Sequence, residues 1–185
     1  MKIKRRLILI VSLFVILIAG TVVVLATQGG EVRTRNAIDR FVRRVEQDNL
    51  DDVILVIYYM NPFTLTRVPV SIREMTGGWY DIRIEVESNA LREYIDLLEQ
   101  ISSDILISDS SQPTMDARIY YIFETTNGRR LFDVGMWMTS YDVGGNVLIN
   151  GNMFEWNDTF ADIIMPFLPD FEAQMLQDYL NFEGN

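Results

Sequence analysis

The sequence predicts an α+β protein: one N-terminal transmembrane helix, then a single domain with an antiparallel β-meander sheet and helices packed on one face. Three observations carry that prediction. Residues 7–26 contain no charged side chain. Asn-Gly pairs at 127–128 and 150–151 each lie between β-prone runs. Flanking segments repeat apolar residues at helical spacing, so helices accompany the sheet.

The first segment is read from length and flanking charge. Residues 1–6 (MKIKRR) form a basic tail and residues 7–26 an apolar run interrupted only by Ser12, Gly20 and Thr21. As a helix such a run is roughly 30 Å long, the thickness of a bilayer's hydrocarbon core. It is apolar on every face, unlike an amphipathic soluble helix. A cleaved signal peptide shares the basic start, but its apolar core is usually about 7–15 residues. Val24-Leu25-Ala26 offers a small-residue cleavage point before Thr27; an uncleaved signal anchor accounts better for the length. Lys2, Lys4, Arg5 and Arg6 crowd the tail side, while Arg33, Arg35, Arg40, Arg43 and Arg44 follow farther out on the other. The positive-inside tendency then places the tail in the cytoplasm and the domain outside it. The lipid bilayer is thus the expected partner of residues 7–26, residues 27–32 a short linker, and 33–185 the extracytoplasmic domain.

Composition narrows the chemistry. The tail holds four of the 16 basic residues and none of the 26 acidic ones, so the rest carries 12 arginines and a net charge of −14. It has no Lys, His or Cys. The usual ligands of zinc, copper, haem and iron–sulfur clusters are missing, as are Ser–His and Cys–His pairs, a Schiff-base lysine and a Walker lysine. No cofactor is expected. No disulfide can brace the fold, and the acidic balance disfavours nucleic acid. Carboxylate acid–base work, a hard cation held by oxygens, or no catalysis remain.

Each element follows in order. "RTRNAIDRFVRRVEQDN" reads as a helix with Ile38, Phe41, Val42 and Val45 on one face and Arg35, Arg40, Arg43 and Arg44 on the other. That basic face is either solvated or docks on acidic protein surface or anionic lipid. "DDVILVIYY" reads as a central strand, and "NPFTLTRVPVSI", with Pro62 and Pro69, as an edge strand or loop. "YDIRIEVE" alternates Ile82, Ile84 and Val86 against charged residues, the pattern of a half-buried strand. "ALREYIDLLEQI", capped by Ser88 or Asn89, predicts a helix with Leu91, Tyr94, Ile95, Leu98 and Ile101 on one stripe. "DILISDSSQPTMD" reads as a short strand entering a polar loop. Residues 117–156 predict a four-strand meander whose two-residue type I′ turns use the Asn-Gly pairs, with Gly144-Gly145 between the hairpins. Two helices close the chain, the first capped by Asn157 or Asp158, the second with Phe171, Met175, Tyr179 and Phe182 on its apolar stripe.

Candidate site residues are few. Asp133 interrupts "RLFDVGMWM" on the strand face shared by Leu131, Gly135 and Trp137. A carboxylate there either pairs with an arginine across the sheet, Arg118 being the candidate, or serves as an acid catalyst. Asp104, Asp109 and Asp116 surround a hydroxyl-rich loop with oxygen ligands for calcium, without EF-hand spacing. The strand tyrosines and the tryptophans read as core or cross-strand packing before they read as a ligand groove. In layout the chain resembles small single-pass extracytoplasmic proteins of bacteria. The expected role is therefore a non-catalytic binding or protein-interaction module at the cell envelope, engaging an envelope protein or a small ligand. The alternatives are a carboxylate-dependent, glycosidase-like hydrolase, and a secreted effector or inhibitor if the chain is cleaved after Ala26.

Overall fold

The computed structural model describes residues 29–109, 116–137 and 146–183; the proposed membrane segment and the Gly144-Gly145 turn lie outside these. Among the described residues no helix is long and apolar enough to cross a membrane. The chain divides into two compact units, residues 1–33 and 34–185. Residues 29–46 are helical (α1), so helical backbone is already present four residues ahead of the expected Arg33, at Gly29 and Gly30.

The second unit is α+β. Six antiparallel strands form one sheet in the order β2-β1-β3-β4-β5-β6. They are β1 (Val53–Tyr59), β2 (Ile82–Val86), β3 (Ala117–Thr125), β4 (Arg130–Trp137), β5 (Asn146–Ile149) and β6 (Asn152–Glu155). β1 is flanked on both sides, as its unbroken apolar run requires, and β2 is an edge strand whose Arg83 and Glu85 face water. The meander is present as β3 to β6.

Its two Asn-Gly turns differ. Asn150 and Gly151 both take positive φ (49° and 78°), the type I′ geometry that Asn-Gly favours. At the first turn only Gly128 does (φ 79°). Gly128 N–H donates to Thr125 O at 2.7 Å and Thr125 N–H to Arg129 O at 2.9 Å. That is a longer loop, a type I turn followed by a left-handed glycine, in place of the expected two-residue reversal. The Thr125 hydroxyl, bonded to Asn127 Oδ1 at 2.5 Å, stabilises the wider form.

Alternation along β3 assigns the core. Ile119, Tyr121 and Phe123 enter the larger cluster, whereas Tyr120 and Ile122 enter a smaller one on the other face. Ile38, Phe41 and Val45 of α1 pack on the larger side, where Phe41 meets Phe123 and Phe132 at 4.5 and 5.1 Å between ring centres. The α3 helix (Ser88–Arg92), α4 (Ile95–Leu98), α5 (Thr159–Asp162) and α6 (Asp170–Glu183) join it through Leu91, Leu98, Phe160 and Leu176. Two buried hydroxyls tie helix to sheet: Tyr121 donates to Phe160 O at 3.0 Å and Tyr59 to Glu172 O at 3.2 Å.

The expectation of helices on one face needs correction. Helix α2 (Ile72–Thr76) lies with the smaller cluster on the opposite face, contributing Ile72 and Met75. Its signal was in the sequence: Ser71-Ile72-Arg73-Glu74 is a capping box, and both reciprocal bonds form. Between β4 and α2 the layers approach so closely that a Cβ on Gly135 would stand 2.7 Å from Ile72 Cδ1.

Three other segments depart from expectation. The helix over 90–101 breaks into α3 and α4 at Tyr94, whose exposed ring turns edge-on to Phe167 at 5.1 Å. "DILIS" forms a 3-10 turn (Ser103–Ile105) and one bridge, Ser108 to Phe154, rather than a strand. There Arg35 donates to Ser103 O and Leu106 O at 2.6 and 2.7 Å, so these carbonyls are satisfied without a strand neighbour. Arg35 thereby leaves the basic face assigned to it. On α6 the stripe turns toward Leu176 and Tyr179, leaving Phe171 65% exposed.

Candidate functional site

Asp133 occupies the smaller-cluster face of β4, 5% exposed. A register shift decides its neighbours. Phe123 pairs with Phe132 but Glu124 with Arg130, so Leu131 is an extra residue in β4. The bulge resets the alternation, sending Leu131 to the larger cluster and turning Arg130 to the face of Asp133. Arg130 Nη1 then donates to Asp133 Oδ2 at 2.5 Å. Arg118, the partner expected across the sheet, instead pairs with Asp116 at 2.6 Å and touches Met60 Sδ at 2.9 Å.

Tyr120 completes this cluster. Its hydroxyl stands beside the Asp133 carboxylate, and its pKa is pushed up to about 12, first by burial and then by that negative charge. Tyr58 lies 6.1 Å from Tyr120 and 5.5 Å from Tyr80, with the Arg83 guanidinium 5.7 Å over its ring. The Asp133 carboxylate thus accepts from Arg130 beside the Tyr120 hydroxyl, and its backbone N–H donates to Asn150 Oδ1 at 3.1 Å. The arrangement holds a carboxylate and a phenol in place.

The three aspartates of the expected cation loop are not brought together among the described residues, where no three acidic side chains lie in metal-holding geometry. Asp104 is exposed on the 3-10 turn, and the Asp109 N–H donates to Met153 O at 3.2 Å. The Asp116 carboxylate accepts from Val70 N at 2.9 Å as well as from Arg118.

A cleft that sequence reading did not assemble lies between α1 and the start of β4, with a volume of about 430 Å³. Its walls carry Arg40, Arg43 and Arg44 from α1 and Arg129 and Arg130 from the β3–β4 turn; its apolar lining is Ala37, Phe41 and Leu131. Among the described residues no acidic one lines it. Helical spacing puts the three α1 arginines together, because residues three and four apart share a face. The "NGRR" turn supplies the rest once Phe41 docks against Phe123 and Phe132. Five of the domain's twelve arginines thus border one cleft in a domain of net charge −14, although the Arg130 guanidinium turns to Asp133 on the other face of the sheet. Arg44 is paired with Asp52 and Arg130 with Asp133. Arg40, Arg43 and Arg129 are exposed, and their guanidinium groups make no ion pair among the described residues.

No family model matches the chain, and neither a curated protein nor a solved structure matches it.

Proposed function

We propose that this chain is a membrane-tethered, non-catalytic binding module of the bacterial cell envelope, with residues 7–26 as the anchor and the domain outside the cytoplasm. One observation carries the binding half: a ligand-sized cleft with five arginines and, among the described residues, no acid on its walls, in a strongly acidic domain. Low-dielectric walls focus such a field toward an incoming anion. The anchor half rests on the uncharged run of 7–26 and the cations beside it. Glycosidase-type chemistry ranks below this reading, since it needs two carboxyl groups flanking one bond and Asp133 is engaged by Arg130 and Tyr120. A carboxy-terminal phosphatase fusion tests the placement: activity outside the cytoplasm is expected, with the intact mass of an uncleaved chain. A fusion active only when the reporter is one that works in the cytosol overturns it.

A further inference from the structure

From the arginine cleft we infer that its ligand class is a phosphate-bearing anion, gripped by Arg40, Arg43 and Arg129. The inference rests on reading the cleft as a binding site and adds the chemistry of what enters it. Two of the five arginines are neutralised within the fold, Arg44 by Asp52 and Arg130 by Asp133. Three cationic forks remain, from two different elements, around one opening. Each guanidinium presents parallel N–H donors that suit a two-oxygen edge. One carboxylate offers a single such edge and one charge. A terminal phosphate offers three oxygens and close to two charges, so it can engage several forks together. The paired arginines contribute order: the Asp133 bond holds Arg130 at the β4 start, and Arg44 also donates to Asn49 O at 3.0 Å. The apolar lining from Leu131 and Ala37 leaves space beyond the phosphate for a neutral portion of the ligand.

A lipid head group and a soluble phosphate ester share this chemistry, and the experiment separates them. The full chain in neutral non-ionic detergent, labelled with ¹⁵N-arginine, is titrated with sodium pyrophosphate at constant ionic strength while the arginine Nε–H resonances are followed. The Arg40, Arg43 and Arg129 signals should shift and saturate together. Arg43→Gln and Arg129→Gln should each weaken binding roughly tenfold, the scale of one charged hydrogen bond. Arg73→Gln, exposed on α2, should leave it unchanged. Micelles doped with phosphatidic acid, a lipid whose head group is a terminal phosphate, that displace pyrophosphate identify a head group as the source; failure to displace it identifies a soluble ester. Citrate binding as tightly as pyrophosphate overturns the phosphate assignment while leaving the cleft a binding site. No response to any of these anions overturns both.

Discussion

Replacing Asp133 with Asn distinguishes a carboxylate that holds the fold from one that performs chemistry. The side chain is nearly inaccessible, accepts from Arg130 at 2.5 Å and stands beside the Tyr120 hydroxyl. The amide keeps the shape but loses the charge, so both interactions weaken without vanishing. A hydrogen bond to a charged group contributes about 1.5–3 kcal/mol. The Arg130 side chain is 57% exposed, so solvent screens its share to below about 1 kcal/mol. The expected loss is therefore about 1–2 kcal/mol, and at roughly 2–4 °C per kcal/mol for a domain of this size Tm falls by about 2–8 °C. The same change removes a negative charge beside Tyr120, so that hydroxyl should ionise below its present value of about 12. Thermal unfolding by circular dichroism and a tyrosine-selective NMR titration read the two effects. An unchanged Tm together with an unchanged Tyr120 titration would refute the network. Turnover of envelope glycans or peptides by the parent chain, lost in a variant of undiminished stability, would restore the catalytic reading of Asp133.

Two further outcomes follow from the same face and core. Gly135→Ala places a Cβ 2.7 Å from Ile72 Cδ1, the movable end of a side chain, so a rotamer adjustment costing about 0.5–1.5 kcal/mol should absorb it; Gly135→Val should instead displace α2 and strip hydrogen-exchange protection from residues 72–77, and equal protection in both variants would contradict the close approach. In alkali the sign is set by raised pKa values: burial lifts Tyr59, Tyr120 and Tyr121 above the ordinary 10, so the native state keeps protons that the unfolded chain releases. Stability is fully present below pH 10 and declines from there as pH rises toward and through the folded values, that of Tyr120 near 12 being the lowest of the three. A denaturant midpoint that is flat from pH 9 to 12 would refute that burial.

The sequence reading failed at particular residues for particular reasons. It named Arg118 as the candidate partner of Asp133 because it lies on the neighbouring strand, but Asp133 stands opposite Ile122, four residues along β3 from Arg118, while the loop at Gly128 and the extra residue Leu131 turn Arg130 to its face. Neither is visible in an alternating pattern, because a bulge is a property of two strands and not of one. It grouped Arg35, Arg40, Arg43 and Arg44 on one face, solvated or docked on acidic surface or anionic lipid, although Arg35 satisfies the carbonyls of Ser103 and Leu106. The cleft was half legible: helical spacing grouped three of its arginines, but nothing local linked them to Arg129 and Arg130, nearly ninety positions away. Phe171 was assigned to the core on periodicity alone, and the docking angle of α6 leaves it exposed. The capping box at Ser71 was present in the sequence and passed over.

What the amino-acid order determined by itself is local. Alternation along 82–86, the apolar run of 53–59, the Asn150-Gly151 reversal and the spacing of Ile38, Phe41 and Val45 each act within a few residues, where backbone geometry dictates which side chains share a face. Tertiary structure alone decided the strand order, the helix on the second face, the partner of Asp133 and the meeting of five arginines. Those depend on how separate elements pack, and close packing of large side chains such as Phe41, Phe123 and Phe132 selects one docking among many that the local patterns allow.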